Sequence, residues 1–74
     1  PSADQDLYER LRARRKRLAE SEGVPPYVIF HDSTLREMAA RRPTTYDAML
    51  AISGVGQAKL ERYGAEFLEI LREG

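Results

Sequence analysis

The chain is expected to be all-α: a compact bundle of about five helices, with a helix-hairpin-helix-like Gly-x-Gly turn between two of them. Three observations predict this. Apolar residues recur at helical spacing, in Leu7, Leu11 and Leu18 and again in Leu60, Tyr63 and Phe67. The one short run that could form a strand, Tyr27-Val28-Ile29-Phe30, has no second strand to pair with. Gly54 and Gly56 stand one residue apart between two stretches that each read as helix. At 74 residues the chain spans a single domain, residues 1–74, and such a domain buries roughly 60% of its unfolded surface.

The elements follow in order. Asp4 to Glu22 reads as one long helix, with Asp4, Asp6 and Glu9 near its start, where acids favour the helix dipole. Gly23 supplies its stop. Basic residues crowd its middle: Arg12 and Lys16 form one outer ridge, and Arg10 and Arg17 another. Arg14 falls on the apolar face, between Leu7 and Leu18, so it must snorkel to water or meet a carboxylate. Val24-Pro25-Pro26 is expected to be non-helical, because each proline disfavours helix at the residue before it. Tyr27 to Phe30 is expected to cross the bundle extended, with Val28 and Phe30 inward. Asp32, Ser33 or Thr34 caps a second helix, and Thr34 with Glu37 fits a capping box. That helix carries Leu35, Met38 and Ala39 and ends before Pro43. Thr44 or Thr45 caps a short third helix with Tyr46, Met49 and Leu50. After the glycines, a fourth helix runs from Gln57 to Tyr63. Gly64 is expected to break or kink the path before a fifth helix, Ala65 to Glu73. The expected core is Leu11, Leu18, Val28, Phe30, Leu35, Met38, Leu50, Ile52, Leu60, Phe67 and Leu71.

Composition excludes several chemistries. With no cysteine and one histidine, His31, the chain offers no disulfide, no thiolate metal site and no zinc site of its own. No metal or other cofactor is expected in the domain. No apolar run approaches the length of a membrane span and no signal peptide opens the chain, so no membrane partner is expected. The start at Pro1-Ser2-Ala3, without methionine, suggests an excised piece of a longer protein. There is no Gly-x-x-x-x-Gly-Lys-Ser/Thr loop and no nucleophile elbow, and His31 as sole base makes a catalytic triad improbable. Glu61, Glu66, Glu69 and Glu73 read as solvated helix surface. Catalysis is therefore set aside, and no catalytic residue is assigned. Twelve Lys plus Arg balance twelve Asp plus Glu, which argues against strong DNA affinity, since nucleic-acid modules are usually basic.

Three features could still bind something. Gly54-Val55-Gly56 could present backbone N–H groups to a phosphate at the next helix start, with Lys59 nearby, or could simply close a tight hairpin with Val55 tucked beneath. The basic middle of the first helix reads either as a phosphate-tracking ridge or as a solvated face. Tyr27, stiffened by Pro25-Pro26, reads either as an exposed stacking platform for single-stranded nucleic acid or as an inward ring packed with Val28 and Phe30.

Residues Val24-Pro25-Pro26-Tyr27-Val28-Ile29-Phe30, Asp32-Ser33-Thr34-Leu35, Ile52-Ser53-Gly54-Val55-Gly56 and Lys59-Leu60-Glu61-Arg62-Tyr63-Gly64 resemble the HRDC ("helicase and RNase D C-terminal") domain, most closely the version in bacterial RecQ helicases. The resemblance runs from about Leu7 to Leu71. It implies a bundle of about five helices, of which only the first is expected to be long. It also implies a non-catalytic accessory module, C-terminal to an ATP- and Mg-dependent motor absent from this chain, that helps bind single-stranded or branched DNA, weakly, and tunes substrate choice in recombination and repair. It assigns nucleic-acid contact to Tyr27, less directly to Arg12, Arg15 and Lys16, and more weakly to Lys59 and the hairpin. It implies a monomer in contact with other domains of its parent, in the bacterial cytoplasm at the nucleoid. Arg14 and the zero net charge depart from the family pattern. They favour a rival role as an interdomain or protein-interaction module with little DNA affinity. An RNase D-type domain that orients RNA is a third reading.

Overall fold

The computed structural model describes residues 3–73. Five helices follow one another: α1 (Ala3–Glu22), α2 (Pro26–Ile29), α3 (Asp32–Arg41), α4 (Tyr46–Leu50) and α5 (Gln57–Glu73). Helix α1 packs on α2, α3 and α5, and α4 lies against α5. Among the described residues no strand occurs.

The core gathers residues from all five helices. Leu11, Ile29, Phe30, Leu35, Met38, Met49, Phe67 and Leu68 are fully buried. Phe30 is the hub of an aromatic group, with edge-to-face rings of Phe67 and Tyr63 at 5.2 and 6.2 Å between centroids, a geometry that suits the ring quadrupoles. The Tyr63 hydroxyl donates to Glu22 at 2.8 Å and thereby ties α5 to the end of α1. Burial first, and this bond to a carboxylate second, push the Tyr63 phenol above its ordinary value.

Two expectations about helix boundaries are corrected. The segment Tyr27–Phe30 does not cross extended. Pro25 is extended (φ −63°, ψ 150°) and Pro26 opens a single helical turn. A proline fits at the first helical position because that N–H has no intrahelical acceptor anyway. The switch from a period of two to a helical turn changes which side chains face inward. Ile29 and Phe30 are buried, whereas Tyr27 and Val28 are exposed, so Val28 is not core. Nor does Gly64 break the last helix. α5 runs unbroken through it, so two helices are long. Gly64 instead permits close packing: a Cβ there would lie 2.9 Å from Leu60 Cδ1 and 3.2 Å from Tyr46 Cε1.

Leu50 is also exposed rather than core, and Leu18 is only partly buried. The one-turn helix α4 turns Met49 inward, with Ile52 following, which leaves Tyr46 and Leu50 on its outer side. Of the two candidates, Thr44 and Thr45, it is Thr45 that caps α4, its hydroxyl accepting from the Ala48 N–H at 3.1 Å. The capping box at the start of α3 does not form. His31 is the N-cap residue and gives no side-chain bond. Thr34 and Glu37 both reach the glycine turn instead: the Thr34 hydroxyl donates to Ser53 O at 3.0 Å, and Glu37 accepts from the Ser53 N–H at 3.3 Å.

That anchoring makes Gly54 doubly constrained. Its φ of +91° suits glycine. A Cβ there would also fall 2.3 Å from Thr34 Oγ1. Gly54→Val is expected to cost at least about 1–3 kcal/mol of stability, the scale of one strained backbone position, read as a lower midpoint in urea unfolding. An unchanged midpoint would show that the turn can be rebuilt without the glycine.

Candidate nucleic-acid interface

Tyr27 is 59% exposed on the one-turn helix α2. The two prolines before it hold the turn, and the burial of Ile29 and Phe30 pins it to the core, so the ring is presented rather than dangling. Two shallow clefts flank Pro26. One, about 360 Å³, is lined by Glu9, Arg12, Ala13, Arg15, Lys16 and Pro26. The other, about 480 Å³, is lined by Arg15, Pro26, Tyr27, His31, Asp32 and Ser33. Arg15 and Pro26 belong to both, so the two form one groove from the outer ridge of α1 to the start of α3.

The cations named from the sequence separate into distinct environments. Lys16 lines the groove and, among the described residues, has no carboxylate, carbonyl or ring partner. Arg12 lines it too, 3.8 Å from Glu9 with both side chains more than half exposed, a contact too weak to immobilise it. Arg15 is not a surface cation. It is 6% exposed, and it donates to the Phe30 carbonyl at 2.8 Å and to Asp32 Oδ1 at 2.7 Å. Its Nη1 and Nη2 each donate within the fold, which places the charge beneath the groove rather than on its rim. Lys59 lies outside the groove, half-buried, with its ammonium 5.9 Å over the Phe30 ring. In the hairpin Val55 is buried beneath the turn, and Gly54 and Gly56 are exposed. The Ser53 N–H is engaged by Glu37, and the Val55 N–H donates to Ile52 O at 3.1 Å.

Sequence reasoning passed over His31. Its ring stacks on Tyr27, with centroids 6.0 Å apart and planes 23° from parallel. The pairing arises because the chain makes one turn in α2 and then runs extended through Phe30 and His31, a path that no local pattern in the sequence announces.

Four other arginines are paired with carboxylates between elements. Arg14 lies against α5, donating to Glu66 Oε1 at 2.8 Å and to Glu69 Oε1 at 3.1 Å. Partial burial pulls its guanidinium down, but the hydrogen bonds it donates to Glu69 and Glu66, with their negative charges, outweigh this and raise it above the ordinary value. Arg10 pairs with Glu73, Arg42 with Asp4 and Arg62 with Glu22. Among the described residues no group of three His, Cys, Asp or Glu could hold a metal ion, and no helix is long and apolar enough to cross a membrane.

The fold and surface define a small helical module whose groove sets an exposed aromatic ring beside mobile cations. A family model of the HRDC domain matches residues 4–71. The chain is 50% identical over 70 residues to the ATP-dependent DNA helicase RecQ of Haemophilus influenzae, covering 95% of this chain and 11% of that protein. It is 48% identical over 64 residues to the RecQ of Bacillus subtilis, covering 86% and 11%. It is 41% identical over 69 residues to the ATP-dependent DNA helicase UvrD2 of Mycobacterium tuberculosis, covering 93% and 10%. Among solved structures, D. radiodurans RecQ HRDC domain 3 superposes with a TM-score of 0.92 at 33% identity, covering 97% of this chain and 95% of that one. The chain belongs to the HRDC domain family. It spans about a tenth of the length of these helicases.

Two arginines one residue apart should respond differently to mutation. Arg15→Ala removes the donor from a buried carbonyl and is expected to cost about 1–3 kcal/mol. Arg14→Leu removes a pairing with two well-exposed glutamates and is expected to change stability by less than about 1 kcal/mol. Urea denaturation of both variants checks the contrast, and equal losses would refute it. The Arg15 pair also predicts an acid dependence. Arg15 holds the Asp32 carboxyl below its ordinary value of 3.8. A depressed carboxyl contributes stability that is full above its unfolded pKa and is lost as pH falls through the folded value. Between about pH 5 and pH 2, Asp32→Asn is therefore expected to lose less stability than the parent chain. Parallel acid unfolding curves would contradict this.

Proposed function

We propose that this chain is a non-catalytic accessory domain of an ATP-dependent DNA helicase of the RecQ type, one that helps bind single-stranded or branched DNA and tunes which substrates are unwound in recombination and repair. The observation that carries the proposal is Tyr27: a 59% exposed ring on a proline-held turn, in one groove with Lys16 and Arg12. A base stacks on the ring while the two cations, at the other end of the groove, track phosphates farther along the strand, an arrangement tolerant of sequence because every base has a π-face. Phosphate contact at the hairpin, with Lys59, is secondary. The motor, with its ATP and Mg, belongs to the parent protein, which acts on DNA in the bacterial cytoplasm. The UvrD2 relatives make a helicase of that kind the other candidate parent. The domain acts as a monomer within it.

A second reading rests on a different surface. Tyr46 and Leu50 are 48% and 44% exposed on the same side of α4. In this reading the domain docks on another part of its parent and regulates the motor, with little DNA affinity of its own. The RNase D-type role of orienting RNA is a third reading, which an RNA arm of the same titration addresses.

Fluorescence anisotropy with single-stranded, duplex and forked DNA separates these readings. Tyr27→Ala is expected to lose about 1–3 kcal/mol of single-strand affinity, the worth of one base–aromatic stack. Lys16→Ala is expected to weaken all sequences alike and to flatten the salt slope by about one. Suppose the chain shows no DNA binding at low salt, and Tyr27→Ala leaves the parent helicase's DNA affinity unchanged. The regulatory-contact reading then replaces the first.

A further inference from the structure

The Tyr27 end of the groove has a second ring and lacks a free cation. His31, on the extended link between α2 and α3, stands four residues after Tyr27, and the two rings lie within 23° of parallel at 6.0 Å. Both are exposed and line the same cleft. His31 serves α3 as its N-cap through the backbone alone: the Thr34 and Leu35 N–H groups donate to its carbonyl at 3.1 and 3.2 Å, and its side chain makes no cap bond. The imidazole is exposed in the cleft and takes no part in capping the helix.

We propose that His31 is the second contact of the single-strand platform and makes its affinity depend on pH, drawing the strand in more tightly when the imidazole is protonated. This rests on the single-strand reading of Tyr27. The charges around the ring favour it. From α1, Arg15 is locked onto Asp32 and the Phe30 carbonyl, so its charge is internally compensated. Arg12, also on α1, and Arg36, on α3, act on Asp32 from farther away. The free cation Lys16 and the weakly paired Arg12 line the far half of the groove. From α2 the neighbour is the Tyr27 phenol. Asp32 is kept ionised by Arg15. Of these groups, only an imidazole ordinarily changes charge between about pH 5 and 8. A strand carries a phosphate at every nucleotide, so a base stacked on Tyr27 brings a flanking phosphate into reach of a ring 6.0 Å away. Protonation of His31 adds one phosphate contact at the end of the groove that otherwise has none.

The test is anisotropy with a short oligothymidylate at constant ionic strength, from about pH 8 down to about pH 5.5, with thermal melts at both ends to confirm the folded state. The parent chain is expected to bind roughly fivefold tighter at the acid end, and the slope of log affinity against log salt is expected to steepen by about 0.7, the value of one single-strand phosphate contact. His31→Asn keeps a favourable N-cap residue and is expected to bind at about pH 8 as the parent does, but with no gain in acid. His31→Lys is expected to bind tightly across the whole range. If Tyr27→Ala weakens binding but the parent chain shows no pH dependence, or if His31→Asn retains the acid gain, the His31 assignment is overturned while the Tyr27 platform stands. Absence of binding at every pH removes both.

Discussion

The guanidinium of Arg15, enclosed between α1 and the junction of α2 with α3, donates to the Phe30 carbonyl and to Asp32. Through those two bonds the long first helix holds the end of one short helix and the beginning of the next. The Phe30 side chain on the same junction enters the core against Phe67 and Tyr63. The one-turn helix bearing Tyr27 is far too short to be stable alone. It is fixed because its C-terminal end is gripped by a buried charge on one side and an aromatic hub on the other. A lost partner would leave a buried carbonyl unsatisfied, so the grip is intolerant of change in a way that surface ion pairs are not.

The same logic accounts for a neutral chain with a potential phosphate-binding groove. Arg10 and Arg14 on α1 face Glu66, Glu69 and Glu73 on α5, and Arg42 and Arg62 meet carboxylates elsewhere. These cations knit helices together and add little to the external field. What the groove keeps for a ligand is local: Lys16, with the loosely held Arg12, at one end and an exposed ring at the other. Net charge describes the long-range field. A groove with few exposed, loosely held cations suits weak, salt-sensitive contact of the kind proposed above.

The glycine turn follows from packing as much as from backbone freedom. Thr34 and Glu37 of α3 both bond to Ser53, and Thr34 sits where a Gly54 side chain would have to go. The turn is thereby fixed to the helix that opens the Tyr27 groove. Continuity of α5 through Gly64 has a related cause. Helical hydrogen bonds tolerate a glycine, at a cost near 1 kcal/mol relative to alanine, and the space it leaves is filled by Tyr46 and Leu60.

By itself the sequence determined the all-helical class, the first helix and its stop, a threonine cap at Thr44 or Thr45, and most of the core. Each depends on local periodicity or on a residue type with one strong backbone preference. The HRDC resemblance was legible for the same reason, because its signature residues sit at turns and core positions. Tertiary structure decided the rest. Whether Tyr27 to Phe30 is extended or helical depends on Arg15 and Phe67, which are distant in sequence, and that choice alone moves Val28 out and brings His31 beside Tyr27. Whether an arginine on α1 binds a ligand or a neighbour depends on which helix packs opposite it. Arg15 faces the α2–α3 junction and Arg14 faces α5, while Lys16 faces water: three consecutive cations point in three directions because a helix turns about 100° per residue, and only the packed bundle says what lies in each direction.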